Sequence, residues 1–166
     1  MWKYGRCHVA LGMRFDRFLT DRFYQYNKTG VLNPKIGFEG SFSVVFVRPL
    51  ELEVTGFTNA YSSPLPEMSN VKIKHQGMEF FLNAYVLPYV GKVSDYLAPY
   101  VGIGYQTSSL KWGKDISAKT SSAIVKMGLR VPLVKGIFLQ GEYRQTIPRK
   151  SDKIFRVINA GLGFSF

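Results

Sequence analysis

The sequence predicts an all-β protein: an eight-stranded antiparallel up-and-down transmembrane β-barrel, built as one domain over residues 1–166. Three observations predict it. Helical periodicity is nearly absent, while large apolar residues alternate with small, polar or charged ones in eight runs. The connections between runs alternate between long and short, as in a meander. The face opposite the apolar one carries glycines and charges of both signs, not the Lys-, Thr- and Glu-rich surface of a wetted sheet.

The runs follow in order. The first sets Cys7, Val9, Leu11, Met13 and Phe15 against Arg6, His8, Ala10, Gly12 and Arg14. The second sets Ile36, Phe38, Phe42, Val44 and Phe46 against Lys35, Gly37, Glu39, Ser41 and Ser43. The third is weaker, with Leu52, Val54, Gly56, Thr58 and Ala60 against Glu51, Glu53, Thr55, Phe57 and Asn59. The fourth opposes Met78, Phe80, Leu82, Ala84 and Val86 to His75, Gly77, Glu79, Phe81, Asn83 and Tyr85. In the fifth, Leu97, Pro99, Val101, Ile103 and Tyr105 oppose Ala98, Tyr100, Gly102, Gly104 and Gln106. In the sixth, Ala123, Val125, Met127, Leu129 and Val131 oppose Ser122, Ile124, Lys126, Gly128 and Arg130. The seventh sets Ile137, Leu139 and Tyr143 against Phe138, Gln140, Glu142 and Arg144. The eighth is "INAGLGFSF", residues 158–166, with Asn159, Gly161, Gly163 and Ser165 opposing the apolar set.

Residues 17–33, 62–71 and 108–120 read as long links, and 146–153 as an intermediate one. Residues 47–50, 88–95 and 132–136 read as shorter ones. An even strand count then places both termini at the short-turn end.

Composition narrows the environment. No run of about 18 uncharged apolar residues occurs, so a membrane-spanning helix is excluded. A membrane-spanning strand alternates its environments, so its mean hydropathy stays near neutral, as here at −0.04. In a narrow eight-stranded lumen, glycine and serine relieve crowding, and buried charges must pair. The expected lumen network is Arg6, Arg14, Glu39, Glu79, Lys126, Arg130, Glu142 and Arg144, filling and stiffening the barrel. Aromatics fall near both ends of the apolar runs, as headgroup interfaces select: Phe46, Tyr96, Phe164 and Phe166 at one end, Phe15, Tyr61, Tyr105 and Tyr143 at the other.

With these residues in view, the chain resembles the small eight-stranded outer-membrane β-barrels of Gram-negative bacteria, the OmpA-transmembrane/OmpX-like superfamily. The resemblance covers the whole chain and rests on "LAPYVGIGYQ", residues 97–106, and on the closing "INAGLGFSF". It implies that Leu162, Phe164 and Phe166 form the terminal signal read by the barrel-assembly machinery. It also implies a bacterial outer-membrane location, with long loops extracellular and both termini periplasmic. "MWKYGRCHVALG" has no basic segment followed by an apolar one. Family members are exported with a cleaved signal peptide, so the resemblance implies a mature chain.

No catalytic constellation, cofactor motif or metal set stands out. His8 and His75 point to the lumen by parity, and one or two His without a Cys partner make a poor metal set. Cys7 is the single cysteine. "GIG" and "GLG" lack the downstream glycine and helix of a phosphate loop. The net charge of +11 implies an anionic partner. Its excess lies in the long loops and strand tips, where Arg22, Lys28, Lys111, Lys114, Arg149 and Lys150 are candidate lipopolysaccharide or surface contacts. Basic and aromatic residues do not share one surface as single-strand nucleic-acid binders require. The expected role is a non-enzymatic structural or interaction component of the envelope. Its partners are outer-membrane lipid, lipopolysaccharide and other envelope proteins, including a secretion assembly it would serve as accessory subunit. The alternatives are a lipid-A-modifying barrel enzyme and a narrow small-solute channel.

Overall fold

Strict period-two alternation makes each run a strand, because successive side chains on extended backbone point to opposite faces. The computed structural model describes residues 6–19, 33–34, 36–47, 49–62, 72–86, 96–113, 116–147 and 154–166. Its eight staves are β1 (Cys7–Leu19), β2 (Gly37–Val47), β3 (Leu50–Ser62), β4 (Ile73–Tyr85), β5 (Ala98–Trp112), β6 (Ile116–Val134), β7 (Ile137–Thr146) and β8 (Ile154–Ser165). Asn33–Pro34 adds a two-residue bridge to the end of β3.

Every stave pairs antiparallel with its chain neighbour, and β8 pairs with β1 to close the ring. The seam is in register from His8↔Ser165 to Leu19↔Ile154. The C-terminal Phe166 belongs to it: the Cys7 N–H donates to the Phe166 carbonyl at 3.1 Å, and the Phe166 N–H donates back at 3.0 Å. Closure matters because an open sheet edge would leave unpaired backbone groups in the apolar layer.

The faces divide as alternation requires. Leu11, Phe38, Leu52, Phe80, Ile103, Met127, Ile158 and Phe164 are exposed on the outer wall, Leu11 at 69 % and Ile103 at 65 %. The inner face buries His8, Arg14, Glu39, Glu51, Glu79, Lys126, Arg130 and Arg144. Large apolar side chains outside and charges inside is the reverse of a water-soluble barrel.

Three expectations are corrected. Residues 108–120 are not a long loop. Strand continues to Trp112 and resumes at Ile116, paired in register, and the turn includes Gly113 at φ +62°. The alternation persists there through Ser108 and Leu110, which are buried, and Ser109 and Lys111, so the backbone stays extended. Residues 132–134 likewise belong to β6, which runs through an irregularity between Pro132 and Val134 to a turn at Lys135–Gly136. Tyr61, expected at the outer aromatic belt, is 2 % exposed inside the lumen, because it shares the parity of Phe57 and Asn59. Residues 20–32, 63–71, 87–95 and 148–153, which hold most of the other links, lie outside the described residues.

The lumen glycines have a partner that alternation alone does not reveal. Gly163 sits opposite Phe138, Gly128 opposite Tyr100 and Gly104 opposite Phe81. In each pair the ring lies across the glycine, so an added Cβ would overlap it. Gly163→Val is therefore expected to destabilise the barrel by about 1–3 kcal/mol through overpacking. Urea unfolding in lipid vesicles measures this, and adding Phe138→Leu should recover part of the loss. An unchanged midpoint for the single variant would contradict the ring-on-glycine packing.

Candidate functional site: a charge-filled lumen under a basic rim

Each charged lumen residue stands on a strand at inward parity, and the ring of staves brings distant strands face to face. At the short-turn end, Arg130 (β6) grips Glu51 (β3) with both terminal guanidinium nitrogens, Nη1 donating to Oε2 at 2.7 Å and Nη2 to Oε1 at 3.1 Å. His8 Nδ1 lies 2.8 Å from the same Oε2, and the Tyr85 hydroxyl donates to it at 2.7 Å. Arg130 Nε donates to Gln140 at 2.9 Å. Asn83 links this cluster upward, donating to Glu51 at 3.0 Å and to Glu53 at 2.8 Å.

At mid-height, Lys126 Nζ donates to Glu53 at 2.7 Å and to Glu142 at 3.1 Å. The Tyr100 hydroxyl also donates to Glu142. Arg144 (β7) then contacts three carboxylates: Glu142 through Nε at 2.8 Å, Glu39 through Nη2 at 2.6 Å, and Glu79 through Nη1 at 2.7 Å. Arg14 (β1) shares Glu79 at 2.8 Å and donates from Nε to Asp16 at 2.5 Å. Asp16 accepts from the Tyr61 hydroxyl at 3.0 Å, with His75 Nδ1 3.4 Å away. One contact chain thus runs from His8 to His75, and every stave except β8 contributes to it. β8 supplies Gly163, the space the Phe138 ring occupies, and Gly161, which lies against the backbone of Leu11 and Gly12.

The cations also lie over rings. The Arg14 guanidinium is 3.7 Å from the Phe57 ring centre, and Lys126 Nζ is 4.1 Å from that of Phe81. A glycine, a ring over it, a cation over the ring and a carboxylate on the cation make a repeated stack. Such a filled cross-section leaves little room for solute in eight strands. Among the described residues, no group of three His, Cys, Asp or Glu side chains could hold a metal ion.

Of the sequence-expected network, Arg14, Glu39, Glu79, Lys126, Arg130, Glu142 and Arg144 meet in the lumen. Arg6 does not: it is exposed one residue before β1, where the strand has not yet begun and parity has no force. The network also includes Asp16, Glu51, Glu53, Asn83, Tyr61, Tyr85, Tyr100, His8 and His75. Inward parity marked most of them, but Asp16 fell just past the end of the first run. Leu162, Phe164 and Phe166 line the outer face at the seam, all exposed. Of the basic contacts, Lys111 is exposed near the end of β5; Arg22, Lys28, Lys114, Arg149 and Lys150 lie outside the described residues.

An eight-stranded antiparallel barrel with an apolar wall and an ion-paired lumen defines a transmembrane β-barrel. No protein-family model and no curated protein matches the sequence. Among solved structures, the chain is similar to Neisserial surface protein A, at TM-score 0.71 and 13% identity over 99% of this chain and 100% of that one. It is similar to the attachment invasion locus protein Ail of Yersinia pestis, at TM-score 0.65 and 15% identity over 98% and 99%. Ail has also been solved in complex with the heparin analogue sucrose octasulfate. It is similar too to the outer membrane protein OprG of Pseudomonas aeruginosa, at TM-score 0.66 and 12% identity over 98% and 97%. At these identities the likeness is one of fold.

Proposed function

We propose that the protein is a non-enzymatic integral outer-membrane barrel with a structural lumen, whose contacts are made at its basic, long-connection end. The inversion of faces carries this reading: the apolar wall calls for lipid, and the lumen charges are already spent on one another. The long connections face outward from the cell, and both termini face the periplasm. The partners are outer-leaflet lipopolysaccharide and other anionic glycoconjugates. The heparin analogue bound by Ail, a protein of the same fold, supports that chemical class. Leu162, Phe164 and Phe166 serve as the signal for the barrel-assembly machinery, and the barrel serves as an accessory subunit of an envelope assembly.

Expression in a Gram-negative host tests this. The protein is expected in the outer-membrane fraction, to need detergent for extraction, and to migrate faster on unheated than on heated gels. In planar bilayers it should give no current steps, because Arg144, Arg14 and their carboxylates cross the lumen. A detergent-free soluble monomer would overturn the membrane reading, and regular conductance steps would overturn the structural lumen.

A further inference from the structure

All six described carboxylates are buried in the lumen: Asp16, Glu39, Glu51, Glu53, Glu79 and Glu142. Among the described residues, the basic side chains buried with them are Arg14, Lys126, Arg130 and Arg144. The described lumen thus holds more acidic than basic side chains, against a sequence-wide excess of +11.

Part of that charge is concentrated at one place on the outer wall. Lys74 (β4) stands directly opposite Lys111 (β5) in the ladder. Lys119 (β6) is diagonal to Lys111, since Ser117 pairs with Lys111 and Ser109 with Lys119. Lys72 is diagonal on the other side, two residues before Lys74, and its carbonyl accepts from the Gly113 N–H at 3.1 Å. All four lysines are exposed. Directly opposed like charges on a sheet destabilise it unless a counter-charge lies between them. Among the described residues, no carboxylate shares this face.

The rows below show what the counter-charge belongs to. Descending β4 and β5 from Lys74–Lys111, the outward pairs are Gln76–Ser109, Met78–Thr107 and Phe80–Tyr105, followed by Leu82–Ile103. Cation, amide and hydroxyl, aromatic, then aliphatic is the order of environments from phosphate to acyl chain. Six residues separate Tyr105 from Lys111, about 20 Å along the strand and about 15 Å of height at the tilt of such barrels. Flexible lysine stems can reach back toward the interface across part of that height.

From this ladder we infer that Lys72, Lys74, Lys111 and Lys119 form a docking site for the phosphate groups of an outer-leaflet glycolipid, with its acyl chains against the wall below. The site rests on the outer-membrane reading and gives it a specific lipid contact. A soluble polyanion would need only the lysines; the continuous descent into the apolar wall fits a lipid.

The test uses folded full-length protein in detergent, titrated calorimetrically with purified lipopolysaccharide, with its dephosphorylated form and with sucrose octasulfate. At about 1 kcal/mol per lysine near a charged lipid surface, K74Q/K111Q should bind lipopolysaccharide roughly 30-fold more weakly. Wild-type protein should bind the dephosphorylated form with a comparable loss, and K135Q, in the opposite turn, should bind as wild type. Unheated gel mobility confirms that each variant is folded. Equal wild-type affinity for the dephosphorylated form overturns the inference without any variant. So does an unchanged affinity in K74Q/K111Q, or a loss confined to the sulfated sugar. Failure of the membrane reading would appear separately, in fractionation with no added glycolipid.

Discussion

Replacing Arg144 by methionine is expected to lower the unfolding free energy of the barrel by about 3–5 kcal/mol, the range for removing one partner of a buried ion pair. Arg144 is fully buried, and its guanidinium touches Glu39, Glu79 and Glu142. Without it, Arg14 and Lys126 must hold carboxylates already shared with other partners. The desolvation of those carboxylates was offset by Arg144 and would stand uncompensated. Denaturant unfolding in phospholipid vesicles reads the loss, together with the temperature at which the fast-migrating folded form disappears. Arg144→Lys keeps the charge but cannot span three acceptors, so it should fall between wild type and methionine. Glu79→Gln in the methionine background should recover part of the stability, with a coupling of about 1–3 kcal/mol. A methionine variant that unfolds at the wild-type midpoint would show that the network contributes nothing to holding the barrel.

Ile103→Lys is expected to cost about 2–4 kcal/mol in vesicles, the penalty for a cation near the bilayer midplane. Ile103 is exposed between Leu82 and Val125 in the middle of the outer wall. In water, replacing an exposed isoleucine by lysine would be near neutral, so the two environments give different answers for one substitution. Depth supplies the internal control. Thr107→Lys, on the same stave nearer its end and flanked by the uncharged Met78 and Ser121, should cost about 0–1 kcal/mol. Equal, small effects at both positions would falsify the lipid-facing assignment of the wall.

Much of the architecture was legible because a strand's alternation is local. Ile103 and Gly104 differ in environment although they are chain neighbours, and parity alone assigns each to its face. The same rule placed Glu79, Lys126 and Arg144 inside. It failed at Arg6, which precedes the first strand, and it lost Asp16 and the Ser108–Thr120 stretch where polar residues blur the pattern. It also allotted Tyr61 to the aromatic belt by composition when its parity with Asn59 pointed inward.

Partner choice was not local. Arg144 and Glu39 are 105 residues apart, and Arg130 and His8 are 122 apart. Nothing in either segment says which carboxylate a guanidinium will meet. The same holds for the rings over Gly163 and Gly128, and for the Lys74–Lys111 pair, which depends on the β4–β5 register. By itself the sequence determined eight strands, an apolar wall and a polar interior, because side-chain direction is set residue by residue along an extended chain. The tertiary structure alone decided which charges pair across the lumen and which lysines gather on the rim, because register and ring closure bring distant staves into contact.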